Sequence, residues 1–292
     1  MVATTLDALK ASAAPLLQLR HVTIKLNDMV LLRDINLHVA EKETVALMGV
    51  SGCGKSTLLK AIMQLLPTAK SQTLLTTDTA ALPQYHIAGS MRFYGQELTA
   101  LSDHAWQEIR GKQIGMVIQN APDNFDERKV IMQHFYEAVA AHKKKLFHHL
   151  SKYEKQEVAD EAYRILYSLR MPYPERIRHM YSYEFSVGTL QRIALALCLI
   201  LQPQLILADE FTSALDLYTR LEVLQQLKQL QEEMGFGLLF ITHSGIPQEY
   251  INLVRKTVEE TMKFKEIHVT KASCTISCHC GPNTLGILLE TR

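Results

Sequence analysis

Gly49-Val50-Ser51-Gly52-Cys53-Gly54-Lys55-Ser56, followed by Thr57, is the stretch that decides how this chain is read. Its spacing fits G-x-x-x-x-G-K-[ST], a loop that wraps phosphate. Before it, Thr44-Val45-Ala46-Leu47-Met48 is a short apolar run of strand type. After it, Leu58-Leu59-Lys60-Ala61-Ile62-Met63 forms helix readily. Strand, glycine loop and helix in that order give the pattern a physical meaning. Glycines let the backbone curl until successive N–H groups point inward, and the helix N-terminus adds the positive end of its dipole. Lys55 is placed to reach the β- and γ-phosphates, and the Ser56 hydroxyl to ligate Mg2+. The alternative, an ordinary glycine turn, is disfavoured by the flanking context. The expected ligand is a nucleoside triphosphate.

The 292 residues, 47% of them hydrophobic, suffice for one large α/β domain and a smaller appendage. A net charge of +1 offers nothing to nucleic acid or to an anionic membrane surface. The five cysteines (Cys53, Cys198, Cys274, Cys278, Cys280) are odd in number and clustered late, which fits a reducing compartment better than a disulfide scaffold. Residues 1–15 carry a single Lys and a short Ala-rich stretch, too little for a secretory leader. No run of about eighteen apolar residues is present, so no bilayer crossing is expected.

Residues 16–48 alternate as strands do, through Leu17, Leu19, Val22, Ile24 and Leu26, then Ile35, Leu37 and Val39. An antiparallel edge layer feeding the strand before the glycine loop is the simplest account. Residues 65–90, with Pro67, Pro83 and many Thr, read as an irregular excursion. A strand over 87–93, a short helix over 101–110 and a strand over 113–118 ending at Gln119 follow. From Val130 to Tyr181 the period turns helical, with Met132, Phe135, Tyr136 and Val139 on one face and Val158, Ala162, Ile165, Leu166 and Leu169 on another. The basic run around His142–Lys145 with His148 and His149 reads as a solvated face. A metal site is the alternative, but no carboxylate or cysteine shares its spacing.

Residues 189–202 read as a buried helix, and Leu205-Ile206-Leu207-Ala208 as a continuous apolar strand of the kind covered on both faces. An amphipathic helix over 218–234 and a buried strand over 238–241, ending at Thr242-His243, complete an alternating pattern. That alternation predicts a three-layer α/β domain with its ligand at the carboxyl ends of the strands. Asp209, at the end of an apolar strand, can hold Mg2+ beside Ser56, and Glu210 is placed to polarise an attacking water.

Taken together, these motifs make the chain resemble the ATPase subunit of ABC transporters, closest to the dipeptide, oligopeptide and nickel importer group. The resemblance rests on Gly49–Ser56, Gln119, Phe185-Ser186-Val187-Gly188-Thr189-Leu190-Gln191-Arg192, Leu205–Glu210, Ser213-Ala214-Leu215-Asp216 and Thr242-His243. All six appear in family order over about residues 16–243. The resemblance implies a P-loop NTPase with a RecA-like core, an antiparallel β edge layer and a helical subdomain over about 120–185 that docks on transmembrane subunits. It implies that Gly49, Ser51, Gly52, Cys53, Gly54, Lys55, Ser56 and Thr57 hold the phosphates of ATP. Ser56, Asp209 and Gln119 would serve Mg2+, Glu210 would be the catalytic carboxylate and His243 would bond the γ-phosphate. Ser186 and Gly188 would touch the ATP of an opposing subunit, with Asp216 at the dimer seam.

Several positions depart from the family pattern. Val187 stands where Gly is usual and Thr189 where Gln or Met is usual; a β-branched residue at 187 is expected to block positive φ and crowd the loop. Phe211 replaces a common Pro, and no aromatic residue occupies 26–32, where the family often stacks Tyr on adenine. Residues 244–292 differ more. They predict a helix over 247–262, a strand over 266–270 and a cysteine-bearing stretch, and they resemble the C-terminal end of DegV-type fatty-acid-binding proteins through His243-Ser244-Gly245 and His279-x-Gly281-Pro282-x-Thr284-Leu285-Gly286. Cys274, Cys278 and Cys280 with His268 and His279 lack C-x-x-C spacing, so packed or surface thiols are favoured over a metal site.

The expectation is therefore an ATP-hydrolysing subunit over residues 1–243 with an atypical tail over 244–292. It would work as a heterodimer with a second ATPase subunit, with membrane permease subunits and a separate solute-binding protein, at the cytoplasmic face of the cell membrane. A soluble ABC ATPase without a transporter, or a catalytically impaired fusion, are the rival readings.

Overall fold

A computed structural model of the chain describes residues 15–49, 52–67, 84–143, 150–212, 215, 217–243 and 285–289. The chain divides into two compact units, Met1–Asp103 with Ile241–Arg292, and His104–Phe240.

In the first unit, β1 (Leu17–Leu26) and β2 (Met29–Val39) form an antiparallel hairpin. β3 (Thr44–Gly49) leads to α1 (Lys55–Ile62). β4 (Tyr85–Phe93) then pairs antiparallel with the other side of β1, and the short β5 (Gln96–Glu97) closes the order β2-β1-β4-β5. One face of this layer is buried through Leu17, Leu19, Val22, Ile24, Leu32, Ile35, Leu37, Val39, Met91 and Phe93, the alternation that one covered face requires. The pairing of β1 with β2 slips between Leu19 and Val22, where His21 takes φ 51 in a bulge. Side chains clamp it: the His21 N–H donates to Asn36 Oδ1 at 2.9 Å, and His21 Nδ1 lies 2.7 Å from Asp34 Oδ1.

The second unit carries α2 (Asp103–Ile109, whose first residue precedes the division), β6 (Ile114–Val117), α3 (Ile131–His142), α4 (Lys152–Ser168), α5 (Val187–Leu199), β7 (Leu205–Ala208), α6 (Leu217–Met234) and β8 (Gly237–His243, whose last three residues belong to the first unit). β6, β7 and β8 run parallel, with Val117 opposite Ala208 and Ala208 opposite Phe240. All four residues of β7 are buried, as a strand covered on both faces must be. α3, α4 and α5 close one core around Phe135, Ile165, Leu166, Ile193 and Leu195. α4 starts on a capping box: Ser151 Oγ accepts from the Glu154 N–H at 3.2 Å, and Glu154 Oε2 accepts from the Ser151 N–H at 2.9 Å.

Two readings change. The buried helix expected from residue 189 begins at Val187. A strand not expected from the sequence, β9 (Leu285–Leu289), pairs parallel with β3 from Val45↔Leu285 to Gly49↔Leu289. The helix over 247–262, the strand over 266–270 and the cysteines at 274, 278 and 280 lie outside the described residues. No helix of the described residues is long and apolar enough to cross a membrane.

Candidate functional site

The glycine loop begins where β3 ends at Gly49. Gly52 and Gly54 take φ 79 and 97, in the left-handed region where a side chain is strained. At Gly54 space is closed as well, since a Cβ there would lie 2.9 Å from Leu32 Cδ2. Leu32 itself is buried, so β2 braces the loop from behind. The first helical bond, Leu58 N–H to Gly54 O at 2.9 Å, starts α1 directly from that glycine. α1 has no side-chain cap at Gly54 and no acidic residue in its first turn, so no carboxylate counters the positive end of its dipole there. Lys55, only 4% exposed, lies in that first turn with Ser56 and Thr57, and its Nζ stands 3.9 Å from Cys53 Sγ. Ser51 falls outside the described residues.

The carboxylates Asp209 and Glu210 sit just beyond the end of β7, and Gln119 just beyond the end of the adjacent parallel β6. Because Val117 faces Ala208, the chain two residues further on places Gln119 and Glu210 at equivalent heights. Gln119 Nε2 donates to Glu210 Oε2 at 2.6 Å. The Asp209 N–H donates to Val117 O at 2.8 Å, so strand pairing continues one step into the carboxylate pair. Asp209 and Glu210 are 4% and 6% exposed. Glu210 takes φ 47, a conformation costing about 1–2 kcal/mol for a residue with a Cβ. That turn and the Gln119 bond together fix where its carboxylate stands. Phe211, the departure from a common Pro, is buried with its ring edge-on to Phe240 at 6.3 Å, so it is a core anchor for the carboxylate turn.

Ser186 is the N-cap of α5: its Oγ accepts from the Thr189 N–H at 3.3 Å and lies 2.9 Å from Thr189 Oγ1. Val187 is the first residue of α5, not a loop residue needing positive φ. The expectation that it blocks such a conformation is therefore corrected. Its side chain is 46% exposed and takes no part in core packing. Thr189 likewise has a local use, completing the cap. His243 is the last residue of β8. Asp216 falls outside the described residues.

The profile of the ABC transporter family matches residues 32–213. The chain is 32% identical to an oligopeptide transport ATP-binding protein OppD of Bacillus subtilis (strain 168) over 212 residues, 73% of this chain and 53% of that one. It is 30% identical to the metal-staphylopine import system ATP-binding protein CntD of Staphylococcus aureus (strain NCTC 8325 / PS 47) over 230 residues, 78% of this chain and 76% of that one. Among solved structures, a dimeric bacterial ABC transporter cassette, MJ0796, matches at TM-score 0.62 and 28% identity, covering 82% of this chain and 90% of that one. A post-hydrolysis state of the same cassette, bound to ADP and Pi, matches equally. The chain spans just over half the length of the first of these curated relatives.

Proposed function

The chain belongs to the ABC transporter family, and on that premise we propose that it is an ATP-binding subunit that hydrolyses ATP to drive import of a small peptide or a metal complex through a membrane permease. The observation that carries this is the bond from Gln119 Nε2 to Glu210 Oε2 at the carboxyl ends of β6 and β7, beside the buried Asp209. Support for the solute class comes from the names of relatives, an oligopeptide transport protein and a metal-staphylopine importer.

In this reading the loop N–H groups and Lys55 bind the β- and γ-phosphates. The donor set suits Mg2+, a hard cation that takes hydroxyl, amide and carboxylate oxygens. Ser56, Asp209 and Gln119 would hold it, and it neutralises charge on the phosphates when bound. Glu210 accepts the proton of the attacking water as the new P–O bond forms, and ADP departs with the old bond's electrons. Gln119 cannot serve the metal and Glu210 with the same atom: its Nε2 is the donor to Glu210 and its Oε1 the acceptor side left for a cation. Ser186 and Gly188 would meet the nucleotide of an opposing subunit, with His243 and Asp216 serving the γ-phosphate and the seam as the family pattern assigns them.

The partners in this reading are a second, different ATPase subunit, the permease and a separate solute-binding protein, at the cytoplasmic membrane face. In this reading residues 1–243 make up the ATPase domain, with about 120–185 as its helical subdomain, and 244–292 the tail, which returns β9 to pair with β3. The test is thermal unfolding with and without Mg·ATP, together with co-purification from membranes. An ATP-dependent rise in Tm that Lys55→Ala abolishes, with a permease recovered alongside, supports the proposal. No shift in the intact chain contradicts nucleotide binding. A shift with no membrane partner contradicts the transport half.

A further inference from the structure

Of the two positions where the family pattern has paired glycines, this chain keeps only Gly188, and a neighbouring side chain lies close against it. A Cβ on Gly188 would lie 2.6 Å from Leu215 Cδ2, well inside contact distance. Val187, one residue earlier, turns an exposed side chain outward and meets no such limit. The glycine retained is the one that packs.

Leu215 is in turn fixed from two sides. Its N–H donates at 3.1 Å to the carbonyl oxygen of Thr212, two residues after Glu210. Its carbonyl accepts from Arg220 Nη2 of α6 at 3.4 Å. Its side chain is buried in the same core that holds Phe211 and Leu190. The Leu215 side chain therefore lies against the bare backbone of Gly188 in the first turn of α5.

We propose that Leu215 is a positioning residue, its side chain seated on Gly188 so that the Ser186–Gly188 turn and the Glu210 turn move as one body. This rests on the proposed ATPase reading, in which Ser186–Gly188 meet one phosphate group and Glu210 acts at another. A displacement of the α5 N-terminus on engaging phosphate is then delivered to the general base through a contact of side-chain methyl on backbone. Packed contacts of this kind transmit shifts because the interior has no slack to absorb them.

The experiment is a double-mutant cycle on the full chain in the assembly in which it purifies, reading Mg·ATP turnover, KM and Tm together. Gly188→Ala adds a methyl where Leu215 Cδ2 lies, and Leu215→Ala removes that group. Each single change is expected to lower kcat about tenfold, and Leu215→Ala to leave KM within about twofold. The double variant is expected to turn over severalfold faster than Gly188→Ala alone, since the new methyl fills the space vacated. Leu215→Met, of similar volume, is expected to retain turnover. A double variant no better than the worse single one would overturn the proposal, because a clash between the added methyl and nucleotide is not relieved at 215. If Gly188→Ala does not fold, Leu215→Ala alone decides: unchanged kcat overturns the proposal. Absence of turnover in the unmodified chain would instead contradict the ATPase reading; the pairing itself is still read from Tm, where recovery in the double variant supports it and simple additivity overturns it.

Discussion

Gln119 and Glu210 are joined by a 2.6 Å hydrogen bond from amide Nε2 to carboxylate Oε2, although ninety-one positions separate them in the chain. The pairing follows from parallel register: Ile114–Val117 faces Leu205–Ala208 residue for residue, and both chains overrun their strands by the same amount. The carboxylate proposed to take a proton is thus held by an amide, whose N–H donates a hydrogen bond but does not ionise at neutral pH.

Removing that amide should loosen the carboxylate. A hydrogen bond to a charged group is worth about 1.5–3 kcal/mol, which converts to roughly a tenfold to hundredfold effect. Gln119→Ala is expected to lower kcat within that range while leaving metal-free ADP affinity within about twofold. Steady-state kinetics with ADP titration calorimetry checks both halves.

Gly54 is set by backbone angle and by space at once. At φ 97 an alanine would cost about 1–2 kcal/mol, and its methyl would press on Leu32. Gly54→Ala is expected to shrink the Mg·ATP-dependent rise in Tm. Adding Leu32→Ala relieves the clash and not the backbone strain, so the rise should recover only in part. Full recovery would place the whole effect on Leu32.

Much of this was legible from residue order. The glycine loop, the apolar run into Asp209-Glu210 and the alternation of β1 and β2 are local patterns, and each element fell within a few residues of its expected place. What sequence could not supply was contact. Leu32 reads as one more strand apolar, yet it braces Gly54. Leu215 enters the sequence reading only as a member of the Ser213-Ala214-Leu215-Asp216 motif, yet its side chain lies against Gly188. Val187 misled in the other direction. Treating 186–189 as a glycine loop hid the plain N-cap spacing of Ser186 and Thr189, which starts a helix. β9 was missed because its strand partner lies some 240 residues earlier, at Val45–Gly49.

Glu97 offers a pH-dependent test away from the site. Burial raises its carboxyl, but hydrogen bonds from Ser90 Oγ, the Met91 N–H, Thr99 Oγ1 and Arg92 Nε more than offset this and hold it below the ordinary carboxylate range. A lowered folded value means the stabilisation is complete above the ordinary carboxylate range and is lost as pH falls through the lowered one. Glu97→Gln is therefore expected to lower Tm at neutral pH, with the gap to the unmodified chain closing in acid. Tm measured across a pH series checks the sign. A gap that widens in acid would contradict it.

The most direct measurement is Mg·ATP turnover by Glu210→Gln beside the unmodified chain, with ATP binding followed in the same preparations. A glutamine keeps an oxygen to accept the bond from Gln119 and loses the negative charge and, with it, the capacity to take a proton. General-base loss is worth about 10²–10⁴ in rate. Turnover is expected to fall at least about a hundredfold while ATP still raises Tm. Turnover near that of the unmodified chain would contradict the assignment of Glu210 as the base.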